Sequence, residues 1–240
     1  MKLDIQSNEK YFKSDSIPSG RSAKKFFKQL SENVFEQSYA YYKKSGYLYM
    51  PILYNEEMMS STFSVAIDKI TNIHCSEWVF DKKSLKNITR DKESRAMESR
   101  AIDFWCSTPN GVHYFIELKH GRYCTSEGKS KGEVVEVVKE RLKVLIQQLD
   151  DIKRIKPNWS EVTDLPVGIM VVMGWHNKKY KSVDASENTL CDQVYDFFDK
   201  RKNLQLLSFT WKIPSEIQEQ QKDEEITPWV SILFITNKKK

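Results

Sequence analysis

An α/β domain, with a mixed β-sheet flanked by helices, is the fold that this sequence predicts. Three observations lead there. The segments run in the order helices, strand, hairpin, helix, strand. The runs RAIDFWCS and VHYFIELK flank Thr108-Pro109-Asn110-Gly111, a strong hairpin signal. Leu165 to Met173 is continuously apolar, as expected of a strand covered on both faces.

Residues 1–21 are polar and turn-rich, with Pro18 and Gly20, and read as a flexible arm. The remainder, 22–240, reads as a single α/β domain. Ser22 is placed to cap a first helix. Phe27, Leu30, Val34 and Tyr41 recur at helical spacing to about Lys44, and Gly46 ends the run. Tyr47 to Tyr54 is apolar and aromatic and reads as a strand despite Pro51. Glu56 to Ile70 predicts a second helix, with Met59, Phe63, Ala66, Ile67 and Ile70 on one side. Glu56 and Glu57 lie in its first turn, where negative charge suits the helix dipole.

Ile73 to Phe80 reads as a strand, and 81–99 as a charged loop or short helix. After the hairpin, Glu133 to Ile155 predicts a long helix. Its apolar stripe is Val138, Leu142, Leu145, Leu149 and Ile152, and Pro157 stops it. Asn188 to Lys200 reads as helical. Leu204 to Ile213 and Trp229 to Thr236 read as late strands, joined by the acidic connection PSEIQEQQKDEEITP.

Composition sets limits. In 240 residues, 40% are hydrophobic and 30% charged, enough apolar content to bury a core, so global disorder is excluded. The net charge of +5 suits a nucleic-acid partner but does not select one. No run reaches the roughly 18–20 apolar residues that a membrane span needs. The first residues lack the apolar core of a signal peptide, so no membrane association and a cytoplasmic location are expected. Cys75, Cys106, Cys124 and Cys191 form no CxxC pair and are expected to be free thiols.

The hairpin carries the chemistry. A type I turn followed by a left-handed residue makes a three-residue loop. Pro109 presets the first position, Asn110 suits the second and Gly111 tolerates the third. Thr108 then pairs with Val112, and Asp103 falls opposite Glu117. A two- or four-residue loop would break that alignment. Side chains alternate along a strand, so Glu117 and Lys119 share a face with Asp103. Two neighbouring carboxylates repel each other, and a divalent cation relieves the repulsion. Mg²⁺ accepts one or two carboxylates and keeps several waters. The lysine can position or deprotonate a water, or neutralise charge on a phosphate. The bland alternative is a solvated cross-strand ion pair, worth little. Ile102, Phe104, Tyr114, Phe115, Ile116 and Leu118 surround the trio, and charges in such apolar strands need partners.

Ile102-Asp103 on one strand and Glu117-Leu118-Lys119 on the next resemble the PD-(D/E)XK nuclease superfamily. That family's restriction-endonuclease-like core runs helix, three antiparallel strands, helix, strand. Segments 56–71, 73–80, 100–107, 112–119, 133–155 and 165–173 match it, so the core covers about 56–173 with N- and C-terminal additions. The resemblance implies that Asp103, Glu117 and the Leu118 carbonyl bind Mg²⁺, with Mn²⁺ able to substitute. It makes Lys119 the catalytic lysine. It also implies a helix glutamate: Glu57 first, Glu56 next, with Glu36, Glu77 and Glu98 further options. Ile102 stands where the family usually has Pro.

Lys129 and Lys131 follow the site in a Gly/Ser loop and are candidate phosphate contacts. Trp105 and Tyr123 are candidates for stacking on a base, with core packing the better reading of Trp105. His113, His120 and Cys124 lie close in sequence but do not make the four-ligand spacing of a zinc site. No P-loop, GxGxxG or GxSxG is present. The expectation is a Mg²⁺-dependent nuclease acting on DNA, with a homodimer or partner subunit open. The alternative is a catalytically inactive nucleic-acid- or protein-binding module on the same fold.

Overall fold

Seven strands join one mixed sheet, ordered Ile5–Asn8, Leu204–Lys212, Glu225–Asn237, Thr163–Asn177, Val112–Cys124, Ala101–Ser107 and Ile73–Val79, and helices cover both faces. The structure is a computed structural model and describes residues 5–8, 20–46, 49–79, 101–125, 131–154, 163–179, 194, 204–219 and 224–237. In chain order the elements are β1 (Ile5–Asn8), α1 (Gly20–Lys44), α2 (Glu56–Asp68), β2 (Ile73–Val79), β3 (Ala101–Ser107), β4 (Val112–Cys124) and α3 (Lys131–Arg154). Then follow β5 (Thr163–Asn177), β6 (Leu204–Lys212), the short α4 (Ser215–Glu219) and β7 (Glu225–Asn237).

The hairpin turn closes as its residues require. Gly111 takes φ 72°, and its amide donates to the Thr108 carbonyl at 2.9 Å. The Thr108 amide donates to the Val112 carbonyl at 2.9 Å. The ladder therefore pairs Ser107 with His113 and Phe104 with Ile116. β4 then pairs in parallel with β5 after the α3 crossover, and β5 pairs antiparallel with β7.

The helices bury the faces that their periodicity marks out. Phe26, Phe27, Leu30, Val34 and Phe35 of α1, with Met59, Phe63, Ala66 and Ile67 of α2, pack on one sheet face. Phe104, Tyr114, Ile116 and Leu118 meet them there. Val138, Leu142, Leu145 and Leu149 of α3 pack on the other face against Met170, Val172 and Leu233. Each fully buried side chain of this kind contributes about 1.5–3 kcal/mol. Gly168 lets α3 come close: a Cβ there would lie 2.9 Å from Leu145 Cγ. Because Gly168 sits beside Glu117 in the register, α3 closes over the strand pair at the level of Glu117. Cys106 is buried within the first cluster, and burial pushes its thiol up to about 12, so it stays neutral.

Several expectations change. Ile5–Asn8, read as part of a flexible arm, pairs with β6 at the sheet edge, because Ile5 packs its apolar side chain onto the main core. Tyr47 to Tyr54, read as a strand, instead contains a 3₁₀ turn at Pro51–Leu53. Pro51 has no amide for a ladder and suits the first position of such a turn. On α1 it is Tyr42, not Tyr41, that turns inward. β5 and β7 extend beyond their apolar runs, and the acidic connection holds α4. The readings at 81–99 and, apart from Val194, at 188–200 lie outside the described residues.

Two glycines should respond differently to alanine. Gly111→Ala meets open space, so only its left-handed backbone opposes it, and urea unfolding should show a loss of about 1 kcal/mol. Gly168→Ala drives a methyl into Leu145 and should cost about 1–3 kcal/mol. Equal losses would contradict the close approach of α3.

Candidate active site

The site forms where β3 parts from β4. The ladder between them runs from Ser107↔His113 to Phe104↔Ile116, while β4 continues to Cys124 along β5. Beyond Ile116 the β3-facing edge of β4 still presents the amide and carbonyl of Leu118. Backbone groups in a half-buried edge must find partners. Asp103 Oδ2 accepts from the Leu118 amide at 2.6 Å, and Lys119 Nζ donates to the Leu118 carbonyl at 2.7 Å. Two charged side chains thus take the places of a missing strand.

On its other side, β3 pairs with β2 at Ser76↔Phe104 and Trp78↔Ile102. Between these pairs Glu77 takes φ 54°, in the left-handed region. The sheet is therefore irregular on both sides of Asp103.

Lys119 gathers the cluster. Its ammonium lies 2.9 Å from Glu56 Oε1 and 4.0 Å from Asp103 Oδ2. Glu56 is the first residue of α2, phased by Asn55, whose side chain accepts from the Met58 amide at 2.9 Å. That cap aims Glu56 at Lys119 and leaves Glu57 exposed. The β3–β4 ladder ends at Phe104↔Ile116, one step short of Asp103 and Glu117. Glu117 is 2% exposed and Lys119 is 9% exposed. Charges so buried are held by partners rather than by water.

The sequence-predicted residues therefore divide. Asp103, Lys119 and the Leu118 carbonyl come together, whereas Glu117 is buried on β4 one step beyond the last β3–β4 pair. Of the helix acids, Glu56 reaches the cluster, whereas Glu57, Glu36 and Glu77 are exposed. The signal that separates Glu56 from Glu57 is Asn55, a capping residue that makes Glu56 the first helical position. Glu98 and Lys129 lie outside the described residues, and Lys131 begins α3. Trp105 packs against Trp78 and His113, and Tyr123 against Trp229, so both rings belong to the core.

Could these residues hold a divalent cation? Among the described residues, no three His, Cys, Asp or Glu side chains group closely enough to hold a metal by themselves. The oxygens around the Lys119 ammonium still suit a hard ion: carboxylates from Asp103 and Glu56, and the Leu118 carbonyl. Mg²⁺ accepts one or two carboxylates and completes its octahedron with water. Moreover, a cation already sits there, since the Lys119 ammonium lies among the Leu118, Glu56 and Asp103 oxygens. The donor set fits, with Lys119 as the stand-in.

His120 follows Lys119 on β4, and its Nε2 is buried without a hydrogen-bond partner. Burial, then the nearby Arg122, lowers its pKa from 6.5 to about 4. Glu56 opposes that shift and Arg141 adds to it. It is neutral at pH 7. No family model, curated protein or solved structure matches this chain. No helix among the described residues is long and apolar enough to cross a membrane.

Stability should fall in mild acid. Between pH 6.5 and about 4 the unfolded chain binds a proton that the folded His120 excludes, so each step down in pH favours unfolding. His176, lowered by burial, acts in the same direction, while Asp164, raised by burial, opposes it at the acid end. Urea unfolding at pH 7.5 and pH 5 should show a smaller loss for His120→Gln than for wild type. Identical losses would show that His120 does not carry the effect.

Proposed function

We propose that this chain is a divalent-metal-dependent nuclease that hydrolyses phosphodiester bonds in DNA, built on a restriction-endonuclease-like core. One observation carries the reading: Asp103, Lys119 and Glu56 converge on the open edge of β4 at the Leu118 carbonyl. The element order from α2 through β2, β3, β4 and α3 to β5 supports it. So does the resemblance of Ile102-Asp103 and Glu117-Leu118-Lys119 to the PD-(D/E)XK pattern.

Asp103, Glu117 and the Leu118 carbonyl would hold Mg²⁺ or Mn²⁺. When bound, the ion supplies charge to a phosphate oxygen and lowers the pKa of a water. The chain's own residues do the rest. The Leu118 amide fixes the Asp103 carboxylate through a 2.6 Å hydrogen bond. The Lys119 ammonium, which donates to the Leu118 carbonyl at 2.7 Å, would move off that oxygen if an ion were held there. The freed ammonium orients the attacking water or neutralises the phosphate as negative charge builds. Glu56 keeps Lys119 within reach and sets its direction. Lys129 and Lys131, which follow β4 in the sequence, would add contacts to backbone phosphates.

Cleavage of plasmid and linear DNA with Mg²⁺ or Mn²⁺ tests the reading. Asp103→Ala and Lys119→Ala should each lower the rate about 100-fold or more, with unchanged circular dichroism. Glu56→Gln should slow cutting, and Glu57→Gln should leave it near wild type. Equal cutting by wild type, Asp103→Ala and Lys119→Ala removes these residues from the chemistry. DNA binding by a wild type that never cuts favours the inactive binding module.

A further inference from the structure

Eight large hydrophobic side chains are exposed among the described residues, and three of them are tyrosines: Tyr41, Tyr49 and Tyr54. The other five, four valines and one isoleucine, are scattered over α2, α3 and β2. Tyr49 and Tyr54 form a pair. They are 50% and 42% exposed, with ring centroids 5.9 Å apart and planes at 49°.

The backbone beneath the pair is fixed. Met50 and Ile52 are buried in the main core. The Leu53 amide donates to the Met50 carbonyl at 2.9 Å, and the Tyr54 amide to the Pro51 carbonyl at 3.2 Å. The Tyr49 amide donates to Ser45 Oγ at 3.2 Å, tying it to the end of α1. The last turn of α1 carries Lys43 and Lys44, both exposed. Tyr54 stands two residues before Glu56, at most about 7 Å along the chain.

We propose that Tyr49 and Tyr54, with Lys43 and Lys44, form a stacking platform for an unpaired nucleic-acid strand leading into the candidate active site. The proposal rests on the nuclease reading for where that strand goes. Rigid aromatic rings offer base-sized contact area with little entropy to lose, and lysines offer charge to phosphates. A duplex hides its base faces within its own stack, so only an unpaired strand can use such rings. A protein partner would want a wider apolar surface. Among the described residues from Lys43 to Glu57, the other exposed positions are Lys43, Lys44, Gly46, Asn55 and Glu57, none of them apolar and large.

The test is binding of a fluorescent oligothymidylate to the full chain in EDTA, where no cutting occurs. Tyr49→Ala/Tyr54→Ala should weaken binding about tenfold or more, and Tyr49→Phe/Tyr54→Phe should retain it. Affinity for a blunt hairpin duplex should stay unchanged in both variants, as should the melting temperature. Lys43→Ser/Lys44→Ser should flatten the slope of log K against log salt by about 1.4. Equal single-strand affinity of wild type and the alanine pair overturns the proposal. So does a phenylalanine pair as weak as the alanine pair, or an equal loss on duplex. Because binding is read without metal, a failure of cleavage leaves this result standing, and active cutting with no effect of the tyrosines sinks the platform alone.

Discussion

Two unpaired backbone groups of Leu118 are the constraint on which the rest depends. A strand edge inside a packed sheet cannot leave its amide and carbonyl bare. β3 supplies ladder partners only as far as Phe104, so the next partners must be side chains. The amide takes Asp103 and the carbonyl takes Lys119. Charge-assisted hydrogen bonds of this kind are about twice as strong as neutral ones. A buried ammonium then needs a counter-charge, and Glu56 provides it from another element. Satisfying one residue's backbone therefore assembles the acids and the lysine.

The surrounding architecture holds that arrangement still. α1 and α2 lie over one face and α3 over the other, and Gly168 lets α3 seat closely beside Glu117. The Asn55 cap sets where α2 begins and thus where Glu56 points. The same short segment between α1 and α2 carries the Tyr49–Tyr54 pair. The proposed strand platform and the acid that holds Lys119 are consecutive features of one well-anchored turn. His120, neutral next door, leaves Lys119 as the cation of the cluster.

Much of this was legible without coordinates, because some residues leave the chain little choice. Pro109-Asn110-Gly111 suits a three-residue turn, which determined the hairpin register from Ser107↔His113 to Phe104↔Ile116. The 3.6-residue spacing in α1, α2 and α3 and the apolar run of β5 marked their buried faces. What the sequence left open needed contacts from distant parts of the chain. Whether Glu56 or Glu57 meets Lys119 depends on helix phase against a strand more than 60 residues away. Ile5–Asn8 becomes a strand only because β6 has a free edge, and Pro51–Leu53 becomes a turn because the core claims Met50 and Ile52. Local pattern determined the elements and the hairpin. Tertiary packing decided where β3 leaves β4, and so which charged groups had to meet, because hydrogen-bond partners for a parted strand edge can only come from elsewhere in the fold.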